Sequence, residues 1–122
     1  MRCQKGKNIV AVKSFAFAVR IVIMSRTIRE RHGEHALAEQ VLRSGTSIGA
    51  NVREAASAQS KADFIAKLSI ALKECDETAY WIDLLHATQC LTESEHKSIL
   101  CDCREIFALL TAIIKSAKNQ PV

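Results

Sequence analysis

A chain of 122 residues, 48% hydrophobic and 25% charged, has the composition of one globular domain and is too short for a second sizeable core. Its 4 glycines and 1 proline argue against an all-β fold, since small sandwiches and barrels need a turn about every 8–12 residues. The net charge of +4 divides into +7 over residues 1–61 and −3 over residues 62–122, and the first acidic residue is Glu30. The basic half is suited to a polyanion or to the acidic half of another copy, and charge alone does not decide between these partners.

The first predicted helix runs from about residue 9 to residue 30 and ends near Gly33, a natural left-handed C-cap. Its inner apolar stripe, at helical spacing, comprises Val10, Phe17, Ile21, Met24 and Ile28. A second apolar strip on the opposite flank comprises Val12, Phe15, Val19 and Val22. Because only one side of a helix faces the core of a small bundle, the second strip predicts contact with a partner chain.

The second predicted helix runs from about residue 34 to residue 56. Its apolar stripe comprises Leu37, Val41, Ser44, Ile48, Val52 and Ala55. Gly45 and Gly49 lie inside it, where each glycine costs about 1 kcal/mol relative to alanine, so a break into a loop is the alternative. Because the apolar period continues through both glycines, we predict a continuous helix that another helix approaches closely.

Two capping boxes begin the remaining helices, which we predict over residues 61–89 and 93–117. The boxes are Ser60 with Asp63 and Thr92 with Glu95. The third helix has the stripe Phe64, Leu68, Ala71, Cys75, Thr78, Ile82 and Leu85, and the fourth has Ile99, Cys103, Ile106, Leu110 and Ile113, widened by Phe107 and Ile114. Four amphipathic helices joined by short loops predict an all-α, antiparallel up-down four-helix bundle, with residues 1–122 in a single domain.

The cysteines and the N-terminus indicate the cellular compartment. The five cysteines are Cys3, Cys75, Cys90, Cys101 and Cys103, an odd set without a C-x-x-C spacing, so we interpret them as reduced thiols that mostly fill the core. Lys13 and Arg20 interrupt the N-terminal apolar stretch, which is therefore unlike a signal peptide. No apolar run reaches the ~18 residues of a membrane span, so we expect a cytoplasmic protein without membrane contact.

Neither a metal centre nor an enzyme site is predicted. Glu93-x-x-His96 matches the spacing of a di-iron helix once, but the core stripes contain no carboxylate to complete such a centre. No nucleophile, base and orienting group converge, and no glycine-rich phosphate loop follows a strand. We expect no metal, no cofactor and no catalysis.

Polar residues on the outer faces of the second and third helices are more informative. They comprise Arg43, Ser47, Asn51, Arg53 and Glu54 on the second helix, and Lys67, Glu74, Glu77 and Trp81 on the third, with Ile70, Tyr80 and Leu84 beside them. One interpretation is a solvated face with salt bridges one turn apart, such as Lys73 with Glu77. The favoured interpretation is an interface, because the chain's single tryptophan and single tyrosine both lie off the core stripe.

Three stretches of the chain resemble a known family. They are SFAFAVRIV in the first helix, RSGTSIGANVREA from Arg43 to Ala55, and DFIAKLSIALKECDETAYWIDLL from Asp63 to Leu85. These stretches are similar to the four-helix-bundle proteins called 23S rRNA-intervening-sequence proteins. The signature positions are Arg43, Ser44, Ser47, Asn51, Glu54, Lys67, Glu74, Glu77 and Trp81.

The resemblance implies a small bacterial bundle that assembles as a ring-like homopentamer. Some members of the family are encoded inside inserts of ribosomal RNA genes. A related branch, the accessory variability proteins of diversity-generating retroelements, binds nucleic acid and partners a reverse transcriptase. By resemblance, RNA, DNA and a reverse transcriptase are therefore expected partners beside the chain itself.

The sequence thus predicts a non-enzymatic, oligomeric accessory protein that associates with RNA or DNA through a basic surface; the alternative is an interaction scaffold without nucleic acid. The candidate nucleic-acid-binding residues are Arg26, Arg29, Arg43 and Arg53. The candidate oligomer-interface residues are Phe15, Val19, Val22, Arg43, Asn51, Glu54, Glu74, Glu77, Tyr80 and Trp81. Arg43 or Arg53 is also placed to pair across a subunit boundary with Glu74 or Glu77. Such a pair would leave fewer positive charges for binding nucleic acid.

Overall fold

The computed structural model describes the backbone of residues 4–120 and the side chains of residues 9–120. Four helices fill this range: α1 (Gln4–His32), α2 (His35–Ala56), α3 (Lys61–Ala87) and α4 (Glu93–Asn119). Each helix packs on its neighbour along the chain and α4 returns to α1, whereas the diagonal pairs do not contact each other within the described range. Because short loops join contacting neighbours, this is the all-α, antiparallel up-down four-helix bundle that the sequence predicts.

The ends of three helices differ from the sequence prediction by two residues or more, and α4 extends to Asn119 rather than to residue 117. α1 begins at Gln4 rather than near residue 9, because the polar segment QKGKN continues the helix without adding an apolar period that could be recognised. The helix ends just before Gly33, whose φ of +64° is the expected left-handed cap. α3 ends at Ala87, two residues early, because Gln89 takes a left-handed φ of +66°.

The predicted helix caps form, with one difference. Thr92 and Glu95 make the complete reciprocal capping box at the start of α4. At the start of α3, the Ser60 hydroxyl accepts from the N–H of Asp63 at 3.0 Å. The Asp63 carboxylate accepts from the N–H of Gln59 instead of that of Ser60, so only half of this box is formed.

The core lies along the bundle axis where the four predicted stripes meet. Five predicted core residues at the margins of these stripes are half-buried, not fully buried: Met24, Leu37, Phe64, Phe107 and Ile113. Buried residues outside the predicted stripes include Ser14, Ser25, Ala38, Leu100 and Ala117. The helical phase was therefore correct, and the differences arise at the edges between adjacent helices.

Small residues bring α1 and α2 together. A Cβ added at Gly45 would lie 2.8 Å from Cγ2 of Ile21, and one added at Gly49 would lie 3.3 Å from the carbonyl oxygen of Ser14. The buried hydroxyl of Ser25 donates to the carbonyl of Ala38 at 3.2 Å. The predicted continuous helix and its close contact at the two glycines are both confirmed, and the closely approaching helix is α1.

The opposite face of α1 carries a row of large apolar side chains that contact solvent. We call Ile9, Val12, Phe15, Val19 and Ile23 the outer strip; their exposed fractions range from 40% to 69%. Val22, which the sequence also placed on this face, is half-buried. The four helices of one chain therefore cover only the inner face of α1.

Candidate functional site

A connected group of polar side chains bridges α2 and α3. The Arg43 guanidinium donates to the Glu77 carboxylate at 3.0 Å and to the side-chain oxygen of Gln40 at 2.9 Å. The same Glu77 oxygen accepts from the indole N–H of Trp81 at 3.1 Å. The three predicted interface residues Arg43, Glu77 and Trp81 thus contact each other within one chain. We call this group and the polar residues that continue it the α2–α3 seam.

A buried hydrogen bond lies beneath that group. The hydroxyls of Ser44 and Thr78 are 2.9 Å apart, and both residues are fully buried. The Thr78 hydroxyl also lies 2.7 Å from the carbonyl oxygen of Glu74, to which it donates. Since both of these buried hydroxyls have a partner, the pair fixes the register of α2 against α3 at little cost.

The seam continues toward the start of α3. Lys67 and Glu54 form an ion pair at 3.1 Å across the two helices. The Asn51 amide donates to the carbonyl oxygen of Ser47 at 2.9 Å. Among the described residues, the Glu74 side chain has a buried carboxylate oxygen without a hydrogen-bond partner.

The two aromatic residues at the end of the seam differ in burial. The rings of Tyr80 and Trp81 meet edge to face, with their centroids 5.0 Å apart. Trp81 is half-buried and held by its hydrogen bond to Glu77, whereas Tyr80 contacts solvent, as does Ile70 on the same helix. The exposed apolar surface of α3 is therefore formed by Tyr80 and Ile70.

Charged residues border the outer strip on both sides. Toward α4, Lys13 pairs with Glu105 at 3.1 Å and Arg20 pairs with Asp102 at 2.6 Å. Toward α2, the Arg53 guanidinium lies 6.0 Å from the centroid of the Phe15 ring, within the range of a cation–π contact. The two ion pairs with α4 could not be predicted from the sequence, because opposite charges 92 and 82 residues apart form no local pattern.

The four candidate nucleic-acid-binding arginines have different environments. Arg29 pairs with Glu39 at 2.9 Å, Arg43 pairs with Glu77, and Arg53 contacts the Phe15 ring. Arg26 is exposed and makes no ion pair with the described side chains. Three of the four arginines thus already have a partner within the chain.

The thiols lie in three kinds of environment. Cys75 and Cys103 are buried between α3 and α4, where the Cys103 thiol donates to the carbonyl oxygen of Cys75 at 3.5 Å. The hydrogen bond with the Cys103 side chain and burial raise the pKa of the Cys75 thiol far above its usual value, which keeps it protonated and unreactive. Cys90 is half-buried, Cys101 is exposed, and Cys3 lies outside the described residues.

The histidines do not form a metal site with their neighbours. The His96 ring of the Glu93-x-x-His96 motif contacts the Asp83 carboxylate at 2.8 Å and stacks on the His86 ring, with the centroids 4.1 Å apart. Within residues 4–120, no three His, Cys, Asp or Glu side chains are grouped in a way that could hold a metal ion. In the same range, no helix is long and apolar enough to cross a membrane.

Comparison with known proteins identifies the family. The sequence model of the 23S rRNA-intervening sequence protein family matches residues 6–112. The chain belongs to this family. The family match spans α1, α2, α3 and most of α4, including the outer strip and the whole α2–α3 seam.

A solved relative of the family has the same fold. It is a crystal structure from Bacteroides thetaiotaomicron, described as a protein of unknown function from the S23 ribosomal protein family. The two chains are 52% identical, with a TM-score of 0.89, and the match covers 90% of this chain and 98% of the other. No curated protein matches the chain.

The nine residues of α2 and α3 that carry the resemblance lie along the α2–α3 seam. They are Arg43, Ser44, Ser47, Asn51, Glu54, Lys67, Glu74, Glu77 and Trp81. Many of these residues join two helices of one chain.

Two residues extend the outer strip beyond those named from the sequence. They are Ile9 and Ile23, and continuing the helical period from Val12 and Val19 would have found both.

Proposed function

We propose that this protein works as a non-enzymatic, self-associating accessory module in which the outer strip of α1 is buried between copies. The observation that carries this proposal is the exposure of five large apolar side chains on one helix face. Contiguous exposed apolar surface is typical of protein interaction sites, because its contact with water is unfavourable. The cation–π contact of Arg53 with Phe15 places a charged rim beside this apolar centre, as in many interfaces.

The face that we propose to meet the outer strip is the exposed side of α3. It presents Ile70 and Tyr80, beside the acidic residues Asp76 and Asp83. α1 and α3 occupy opposite corners of the bundle, so one copy can use its α1 for one neighbour and its α3 for another. Such a head-to-tail contact closes into a ring when the rotation between copies allows. Five copies is the number that the family resemblance implies.

Sedimentation equilibrium tests the self-association. We expect the wild-type chain to have several times the 13.5 kDa mass of one copy, and a pentamer to have about five times that mass. Val19→Glu places a charge in the middle of the outer strip and should yield the single-copy mass, because an unpaired charge is costly in an apolar interface. The matched control is Ala108→Glu on the exposed face of α4, which should leave the mass unchanged. A single-copy mass for the wild-type chain at micromolar concentration would contradict the proposal.

A second candidate function is association with RNA or DNA. It is favoured by the basic end of α1, where Arg26 is exposed without an ion pair among the described side chains and the last turn contains Arg29, Arg31 and His32. A ring would repeat this group of cations, so weak phosphate contacts would add. A reverse transcriptase is the further partner that the resemblance implies.

Salt dependence separates this second candidate from the scaffold alternative. Phosphate contacts make the logarithm of the affinity fall by about one unit per log unit of salt for each phosphate neutralised. Arg26→Gln combined with Arg29→Gln should weaken retention of RNA or DNA without changing the sedimentation mass. An intact oligomer that retains neither RNA nor DNA at low ionic strength would leave the protein-interaction scaffold as the function.

A further inference from the structure

A cleft of about 770 Å³ opens between α1 and α4 at the end of the bundle where α1 finishes and α4 begins. The loop between α3 and α4 closes one side of it through Gln89, Cys90 and Leu91. Its volume lies within the range of about 300–1,000 Å³ that is usual for small-molecule sites.

The cleft exists because α4 starts with a polar segment. Residues 93–98 read ESEHKS, so no large apolar side chain of α4 reaches toward α1 before Ile99. Further along the same pair of helices, Phe17, Ile106 and Leu110 are fully buried and fill the space. The gap is therefore confined to one end of the α1–α4 contact.

The floor of the cleft is apolar, and its mouth contains one arginine and two histidines. The apolar lining residues are Ile23, Met24, Ile28, Leu91 and Ile99. The mouth includes Arg31, His32 and His86. Arg31 is exposed and forms no ion pair with the described side chains.

The other charged groups of the cleft are Glu95 and Arg20. The Glu95 carboxylate accepts from the N–H of Thr92 at 2.9 Å as part of the capping box, a hydrogen bond that leaves its negative charge in place. Arg20 pairs with Asp102 and donates to the Ser98 hydroxyl at 3.0 Å. The lining thus has two arginines and one carboxylate, so its formal charge is positive.

From this arrangement we propose that the cleft binds an amphipathic carboxylate, with its alkyl chain on the apolar floor and its carboxylate at Arg31. The apolar floor selects a hydrophobic body, and the free cation at the mouth selects an anionic head over a neutral or cationic one. Ile23 belongs to both the floor and the outer strip, so a second copy of the chain is the competing occupant. The Arg31 cation favours the carboxylate.

Alkylation of Cys90 reports occupancy, because this half-buried residue lines the cleft. The probe is dodecanoate below its micelle concentration, and the reagent is N-ethylmaleimide, with the modified peptides quantified by mass spectrometry. We expect saturating dodecanoate to slow the reaction of Cys90 by about tenfold or more and to leave that of Cys101 unchanged. Cys101 is the matched control, since it is exposed on α4 and does not line the cleft.

Charge variants test the orientation of the ligand. Arg31→Gln should weaken dodecanoate binding by about tenfold, the usual worth of a hydrogen bond to a charged group, without weakening the binding of dodecanol. Arg104→Gln, which removes an exposed cation elsewhere on α4, should change neither. Equal protection by dodecanoate, dodecanol and dodecyltrimethylammonium would overturn the assignment of Arg31.

Two further outcomes would overturn the proposal as a whole. One is a Cys90 reaction rate that dodecanoate does not change. The other is protection of Cys90 that grows with protein concentration in the absence of dodecanoate, which would place a second copy of the chain in the cleft. Sedimentation equilibrium of the same samples shows whether the copies associate.

Discussion

The inner and outer faces of α1 are both apolar in sequence, but one chain buries only the inner face. Phe17 on the inner face is 1% exposed, whereas Phe15 is 60% exposed. Two residues advance an α-helix by about 200°, so the two rings point to opposite sides. Hydrophobic periodicity therefore shows how many faces of a helix are apolar. The number of neighbouring helices determines how many of those faces are buried within one chain.

The largest expected effect compares these two phenylalanines. Phe17→Ala should lower the free energy of unfolding by about 3–5 kcal/mol, because it removes a fully buried ring and leaves a cavity. Phe15→Ala, measured at a protein concentration at which the chain is monomeric, should change it by less than about 0.5 kcal/mol. Urea unfolding of both variants measures the contrast. Equal destabilisation of the monomer by the two substitutions would show that the outer strip is covered within one chain.

A larger side chain at the contact of α1 with α2 should also disrupt the packing of the inner face. Gly49→Leu should lower the free energy of unfolding by about 1–3 kcal/mol, since even a Cβ added at this position would lie only 3.3 Å from the Ser14 carbonyl oxygen. Ala50→Leu is the control on the exposed side of α2, and its expected change is within about 0.5 kcal/mol. Thermal unfolding monitored by circular dichroism ranks the two variants. A Gly49→Leu protein as stable as the control would refute the close contact of α1 with α2.

The α2–α3 seam allows the same comparison for a buried and an exposed hydroxyl group. Thr78→Val should cost about 1 kcal/mol, because it leaves the buried Ser44 hydroxyl without its partner 2.9 Å away. Thr111→Val is a matched control: both hydroxyls donate to the carbonyl four residues earlier, but Thr111 is exposed and has no partner on another helix in the described structure. Chemical denaturation should show a lower free energy of unfolding for Thr78→Val only. If both variants lose the same stability, the interhelical hydrogen bond contributes nothing.

The smallest effect is expected at the exposed edge of the seam. The Arg43–Glu77 ion pair is partly solvated, so a double-mutant cycle with Arg43→Gln and Glu77→Gln should give a coupling of about 0.2–1 kcal/mol in the monomer. A coupling above that range, growing with protein concentration, would show that the pair also contributes to an interface between copies.

The sequence predicted the fold well because its signals are local. Helix phase follows from the apolar period, and the end of α1 follows from a single glycine, Gly33, with positive φ. The close contact at Gly45 and Gly49 could also be predicted, since two glycines inside an unbroken helix need a compensating approach by another helix. Marginal residues such as Met24 could not be placed, because their burial depends on how two helices meet.

The candidate site was less predictable, because its partners are far apart in sequence. Arg43 and Glu77 were expected to pair across a subunit boundary as one possibility, whereas the structure pairs them within one chain. No local sequence pattern distinguishes pairing within one chain from pairing across a subunit boundary, since the pairing depends on the register of α2 against α3. The cleft beside Arg31 was missed for the same reason: it results from a polar segment of α4 facing α1, which no single helix pattern records.

Burial of the outer strip of α1 between copies can be measured with a thiol placed within the strip. In Val19→Cys, the alkylation rate of the new thiol is measured against that of Cys101, which is exposed on α4 of the same chain. We expect the ratio of the two rates to fall by about tenfold or more as the protein concentration rises through the association range. A ratio that stays constant from the most dilute to the most concentrated sample, with position 19 as reactive as Cys101, would show that the outer strip is not buried between copies.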